Sequence, residues 1–172
     1  MTDTSNITID CVRSAEDIAH VTGLIWAFFD YIKDRYPDRV ELVDAYIENQ
    51  QVAAQLADFA TNFNPPAGEC LLARLDNAPV GIVLLKPEAP GVCELNRMYV
   101  TREARGFGVA RALCNRLIEE ARGLGYTEMR LDAVDKTVEA LPLYRSLGFE
   151  PDPNPPEFAK NDPDIVSLRR PL

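Results

Sequence analysis

The sequence predicts a mixed α+β fold, with a central mixed, mostly antiparallel sheet and helices on both faces. Two observations lead there. The order of elements is one strand, two helices, then three strands joined by short turns, followed by a strand, helix, strand, helix, strand succession that reuses the third of these strands. A purely doubly wound fold would alternate strand and helix from the start. The second observation is scale. A chain of 172 residues with 47% hydrophobic and 26% charged residues can bury a core without disulfides or a structural metal, so a single domain over 1–172 is expected.

Each element has a local reason. Ile7 to Arg13 alternates apolar and polar residues as a half-buried strand does, and Ser14 with Asp17 makes a capping start for a helix. That helix carries Ile18, Val21, Ile25, Phe28, Phe29 and Ile32 on one stripe and stops at Pro37. A second helix is expected over Arg39 to Phe63, before Asn64, Pro65 and Pro66. Glu69 to Leu75 and Pro79 to Lys86 read as a hairpin turned by Asp76 and Asn77, with Pro87 to Gly91 as the next turn. Val92 to Val100 is a strand, Val109 to Leu124 a helix stopped by Gly125, and Thr127 to Val134 a strand. Thr137 to Leu147 is a short helix ended by Gly148, Pro151 to Pro156 a surface loop, and Ile165 to Leu168 a final strand.

Composition excludes several classes of function. No apolar run is long enough to cross a bilayer, and MTDTSNITID lacks the basic start and apolar stretch of a signal peptide, so a cytoplasmic location without membrane association is expected. Cys11, Cys70, Cys93 and Cys114 form no CxxC pair and read as reduced core residues. The single histidine, His20, sits in a helix with no motif around it, which argues against a zinc site or a Ser-His-Asp triad; no metal is expected. A net charge of -9 argues against nucleic-acid binding. Yet between Arg97 and Arg116 the chain holds five arginines against one acid, Glu103, which suggests an anionic ligand nearby; Arg116 is more simply a helix-face residue.

RGFGVA, Arg105 to Ala110, lies between a strand and a helix. Gly106 and Gly108 permit a tight turn, and the helix start beyond them presents unpaired N–H groups and the positive end of a dipole, a corner suited to phosphate or pyrophosphate. Two glycines alone are equally ordinary turn residues. A P-loop is excluded because no Gly-Lys-Ser/Thr follows, and a dinucleotide fingerprint lacks its third glycine.

With Arg105, Gly108 and Ala110 at its specified positions, this segment resembles the acetyl-CoA motif Q/R-x-x-G-x-G/A of the GNAT superfamily of N-acetyltransferases. The similarity extends upstream through ELNRMYVTREARGFGVARAL, downstream through LPLYRSLGF, and through the element order from Ile7 to Leu168. The resemblance implies a GNAT-type acyl-CoA N-acyltransferase fold in which a bulged strand splays from its neighbour and coenzyme A enters the gap like an extra strand. It implies that Met98, Tyr99 and Val100 meet the pantetheine and acetyl carbonyl. Arg105, Gly106, Phe107, Gly108, Val109, Ala110 and Arg111 would hold the pyrophosphate. It further implies Glu94 as the carboxylate that takes the amine proton and Tyr144 as the phenol that protonates the departing thiolate, phenol and thiol having comparable reference pKa values. From the residues alone, Glu94 is equally a solvent-facing strand residue and Tyr144 a core aromatic. Thr137 stands where many relatives carry an asparagine, and Pro142 falls inside the last predicted helix.

The function so implied is transfer of an acetyl group from acetyl-CoA, as cosubstrate, to a primary amine of a small molecule or amino acid by direct attack in a ternary complex. Alternatives are a protein or peptide N-acetyltransferase and a catalytically silent acyl-CoA sensor. Asn96 and Arg97 lie near the acceptor side of the strand, and the bulge decides which face each sees. The acidic tail after Phe149 and acids of the first helices would favour a cationic acceptor. The sequence leaves open whether the chain acts alone or as a homodimer.

Overall fold

Alternating burial along Ile7–Cys11 makes it a strand, β1, and Ser14 accepts the Asp17 N–H to start α1 at Ala15–Arg35. The computed structural model describes residues 5–136 and 139–172. Val21, Leu24, Ile25 and Phe29 of α1 are buried. They pack on Leu72, Ile82 and Leu84 of the sheet, as the apolar stripe requires.

The single helix expected over Arg39 to Phe63 is instead a 3-10 turn at Pro37–Arg39 and three helices: α2 (Val40–Asn49), α3 (Val52–Ala57) and α4 (Phe59–Phe63). An unbroken helix of that length would extend about 37 Å, beyond the width of a small domain. The chain breaks at Gln51, whose φ is 51°, and at Asp58. These breaks let Val52, Leu56, Phe59 and Phe63 turn inward while α2 buries no residue.

The hairpin of β2 (Glu69–Leu75) and β3 (Ala78–Ala89) turns on Asp76 and Asn77, at φ 50° and 72°, the pair of left-handed residues that a two-residue hairpin needs. The following turn is shorter than expected. β3 continues past Pro87, which sits where the pairing with β4 (Val92–Val100) slips register, so its missing N–H disturbs the ladder least. After β4 come a 3-10 turn at Arg102–Ala104, α5 (Val109–Gly123), β5 (Glu128–Val134) and α6 (Ala140–Ser146). The expected start of α6 at Thr137, and the role weighed for that residue, lie outside the described residues. Pro142 occupies the first turn of α6, where a helical N–H has no partner to lose.

β6 (Glu150–Pro151) ends on the first residue of the stretch expected to be a loop, and α7 (Glu157–Lys160) follows that stretch. β7 runs from Ile165 to Pro171, three residues past its expected end, because it pairs along the whole of β5. The sheet order is β1-β2-β3-β4-β5-β7-β6, with β4 and β5 the parallel pair and the others antiparallel. α1, α3 and α4 cover one face, and α5 and α6 the other, where Leu113, Leu117 and Tyr144 meet Val83, Leu95 and Met129.

Gly81 sets how close α5 approaches β3. A Cβ there would stand 3.0 Å from Leu113 Cδ1, 3.2 Å from the Tyr99 carbonyl oxygen and 3.3 Å from Val109 Cγ1. Gly81→Ala is therefore expected to push the start of α5 outward and lower stability by about 1–2 kcal/mol in urea unfolding. An unchanged unfolding midpoint would show that the contact has slack.

Candidate active site

The site begins with one extra residue in β4. Leu84 pairs with Asn96 and Ile82 with Tyr99, so Val83 faces two residues, Arg97 and Met98, across a β-bulge in which Arg97 has φ 51°. Cys93 and Leu95 belong to the core under α5, and strict alternation would send Arg97 there too. The bulge instead turns it to the α1 face, where its guanidinium carbon sits 5.4 Å from the Phe29 ring centroid.

A bulged strand bends, and β4 leaves its neighbour. Pairing between β4 and β5 covers Val92, Cys93 and Glu94 against Glu128, Met129 and Arg130 and then ends. Beyond it a cavity of about 720 Å³ opens between Leu95–Val100 and Leu131–Val134, walled by α1, α2 and α6. The expected bulge and splay are both present.

Polar ties hold the walls apart from one another at fixed distances. The Tyr36 hydroxyl donates to Asp135 Oδ1 at 2.6 Å and accepts the Lys136 N–H at 2.9 Å; burial and the Asp135 carboxylate push the phenol up to about 12. Arg39 bridges Asp162 and Asp164, each at 2.9 Å, and Arg35 reaches Glu139 at 3.0 Å. These ties join the end of α1 to β5, to the turn before β7 and to the start of α6.

The glycine corner stands at one end of the opening. Gly106 and Gly108 have φ of 85° and 84°, conformations unfavourable to other residues, and a Cβ on either would meet nothing within 4 Å. The intrahelical ladder of α5 starts with Ala112 donating to Gly108 at 3.0 Å. The N–H groups of Gly106 through Arg111 make no hydrogen bond among the described residues, leaving a row of donors at the positive end of the α5 dipole. Val109 buries its side chain and Phe107 exposes its own. Arg111 donates to Ser146 at 3.0 Å, and Arg105 donates to the Val100 carbonyl at 3.2 Å while lying 4.9 Å over the Tyr31 ring. Arg116 pairs with Glu120 at 2.8 Å and is structural.

Glu94, Met98, Tyr99, Val100, Arg105, Ala110 and Tyr144 all line the cavity; Gly106, Phe107, Gly108, Val109 and Arg111 lie at its corner and do not. Glu94 accepts from Asn96 Nδ2 at 2.9 Å. Tyr144 is 5% exposed and packs edge-on to Phe149, and burial pushes its phenol well above the usual range, so it stays protonated. No cysteine is among the cavity residues, and burial pushes Cys93 and Cys114 up to about 12. His20 lies on the α1 surface beside Glu16.

Sequence reasoning missed the aromatic wall formed by Phe28, Tyr31 and Tyr36, and the Arg39 bridge. Phe28 was visible as part of a helical stripe and Tyr31 and Tyr36 were not, and nothing local marks a residue that faces a cavity instead of a core. Nothing in the spacing marks the Arg39 partners, more than a hundred residues away.

The chain as a whole is similar to known proteins in both sequence and fold. An uncharacterized N-acetyltransferase of Schizosaccharomyces pombe is 30% identical over 96% of this chain and 94% of its own length. N-acetylaspartate synthetase of Rattus norvegicus is 36% identical over 67% of this chain, which spans only 39% of that protein. The structure of PaiA N-acetyltransferase from Thermoplasma acidophilum in complex with coenzyme A has the same fold, with a TM-score of 0.71 and 18% identity, over 97% of this chain and 99% of that one. Among the described residues no helix is long and apolar enough to cross a membrane. Residues 24–149 match the acetyltransferase (GNAT) family, and the chain belongs to it.

Proposed function

We propose that this protein transfers the acetyl group of acetyl-CoA to the primary amine of a small molecule or amino acid, by direct attack while both are bound. The observation that carries the reading is the row of unpaired N–H groups from Gly106 to Arg111 at the mouth of a cavity between parted strands. The row suits a diphosphate, and the open edge of β4 from Met98 to Val100 suits an amide-bearing arm. The name of the N-acetylaspartate synthetase relatives, an amino acid acetylated on nitrogen, agrees with an amino-group acceptor.

Acetyl-CoA supplies an activated acyl group whose leaving thiolate needs a proton. The residues account for the remaining steps. Glu94 takes a proton from the bound ammonium, leaving a lone pair to attack the acetyl carbon. The C–N bond forms as the C–S bond breaks, the bond electrons go to sulfur, and the Tyr144 hydroxyl passes its proton to sulfur as it takes the second proton of the amine, so that no free phenolate, which burial disfavours, is left. Glu94 then releases its proton to solvent. Confinement beside the parted strands supplies orientation and limits water.

Purified protein incubated with acetyl-CoA and a panel of amines and peptides, read by mass spectrometry and thiol release, tests the reading. Acetylated small amines are the expected product; turnover of peptides alone would favour a protein-modifying enzyme, and no product with tight coenzyme A binding would favour a sensor. Gly108→Glu sets a carboxylate and a strained φ against the diphosphate site, and calorimetry should find coenzyme A binding weakened at least 100-fold. Tyr144→Phe keeps the packing against Phe149 and should lower kcat about 10- to 100-fold with little change in the KM for acetyl-CoA. Wild-type kcat in that variant would remove Tyr144 from the chemistry.

A further inference from the structure

Arg97 is 6% exposed, yet its Nε and both terminal guanidinium nitrogens have no hydrogen-bond partner among the described residues. A buried cation left without an anion is costly, and removing it from water is compensated only by a charge or several acceptors. Its backbone is costly as well, because a bulky residue at φ 51° is strained by about 1–3 kcal/mol. Burial, missing partners and strain coincide on one residue that lines the cavity.

The neighbours do not relieve it. Lys86, paired across the strands with Glu94, has its ammonium pushed down by burial and by the Arg97 charge, so the two cations share this part of the sheet. The acids of the cavity are occupied elsewhere: Asp162 by Arg39, Glu139 by Arg35 and Asp132 by Ser167. In the acidic tail, Asp164 shares Arg39 with Asp162, and Asp152 shares Arg130 with Glu88. Glu94 remains, held by Asn96 and lining the same cavity as Arg97.

We propose that Arg97 anchors a carboxylate of the acceptor, and that the substrates are amino acids or related amino-carboxylates, bound with the amine toward Glu94 and the carboxylate on Arg97. This rests on the acetyl-transfer reading. A guanidinium matches a carboxylate with two parallel N–H donors, and the Phe29 ring, 5.4 Å from the guanidinium carbon, packs against it. Selectivity follows from the cost of the unfilled state: an amine without a carboxylate enters the cavity and leaves the Arg97 charge unmatched.

The test uses the full chain with acetyl-CoA and the standard α-amino acids, each beside the compound in which every carboxylate is a carboxamide. The acids are expected to exceed their amides in kcat/KM by about 100-fold. Arg97→Gln should erase that difference mainly through KM, and Arg97→Lys should restore part of it. Coenzyme A affinity should be retained in both. Arg97→Gln removes an unpaired buried charge, so its thermal midpoint should not fall, which separates lost recognition from lost folding. Amides accepted as well as acids by the wild type, or a preference that survives in Arg97→Gln, would overturn the anchor while leaving acetyl transfer intact. If none of these compounds is acetylated, calorimetry of the same acids on the coenzyme A-loaded protein decides the anchor, and the amine and peptide panel decides the transfer reading. Binding lost in Arg97→Gln supports it, and no binding to the wild type overturns it.

Discussion

One extra residue in β4 organises the site. With Arg97 and Met98 both set against Val83, the strand bends, its hydrogen bonding to β5 ends at Glu94, and a cavity replaces what would otherwise be continuous sheet. The same bulge changes the chemistry of the opening, because it delivers an arginine to the face that alternation would have given to its neighbours. Shape and charge at the centre of the site thus arise from a single irregularity in the hydrogen-bond ladder.

Such a gap persists only if both sides are held independently. On the α5 side, Gly81 lets Val109 and Leu113 sit close against β3, which fixes where the helix begins and where its unpaired N–H groups point. On the α1 side, the Phe29 ring lies under Arg97 and the Tyr36 hydroxyl is tied to Asp135 and Lys136. Arg39 spans to the turn before β7. Each side has its own packing, and the Tyr36 and Arg39 ties join the α1 side to the end of β5 and the turn before β7, so the opening does not depend on hydrogen bonds between β4 and β5.

Much of this was legible in the sequence where the code is local. Ser14 and Asp17 mark the start of α1, Asp76 and Asn77 mark a hairpin turn, and Gly106 and Gly108 mark residues with positive φ ahead of a helix. The remainder depends on distant parts of the chain. Gln51 and Arg97 adopt left-handed backbone without being glycine, which only surrounding packing can impose. β7 inserts between β5 and β6 because its whole length can pair with β5, a preference no local pattern records. The acids after Phe149 read as a charged tail, but in the fold Asp162 and Asp164 pair with Arg39 and Asp152 with Arg130, partners that no local pattern marks.

In the proposed function the edge of β4 and the glycine corner act together as a main-chain cradle. Amide hydrogen exchange, followed residue by residue by NMR with and without coenzyme A, examines that directly. The account predicts that amides of the parted segment of β4 and of Gly106 to Arg111 become protected together on addition of coenzyme A, while those of β1 and β2 stay as they were. Saturating coenzyme A that leaves these amides exchanging freely, or protects a different part of the surface, would contradict it.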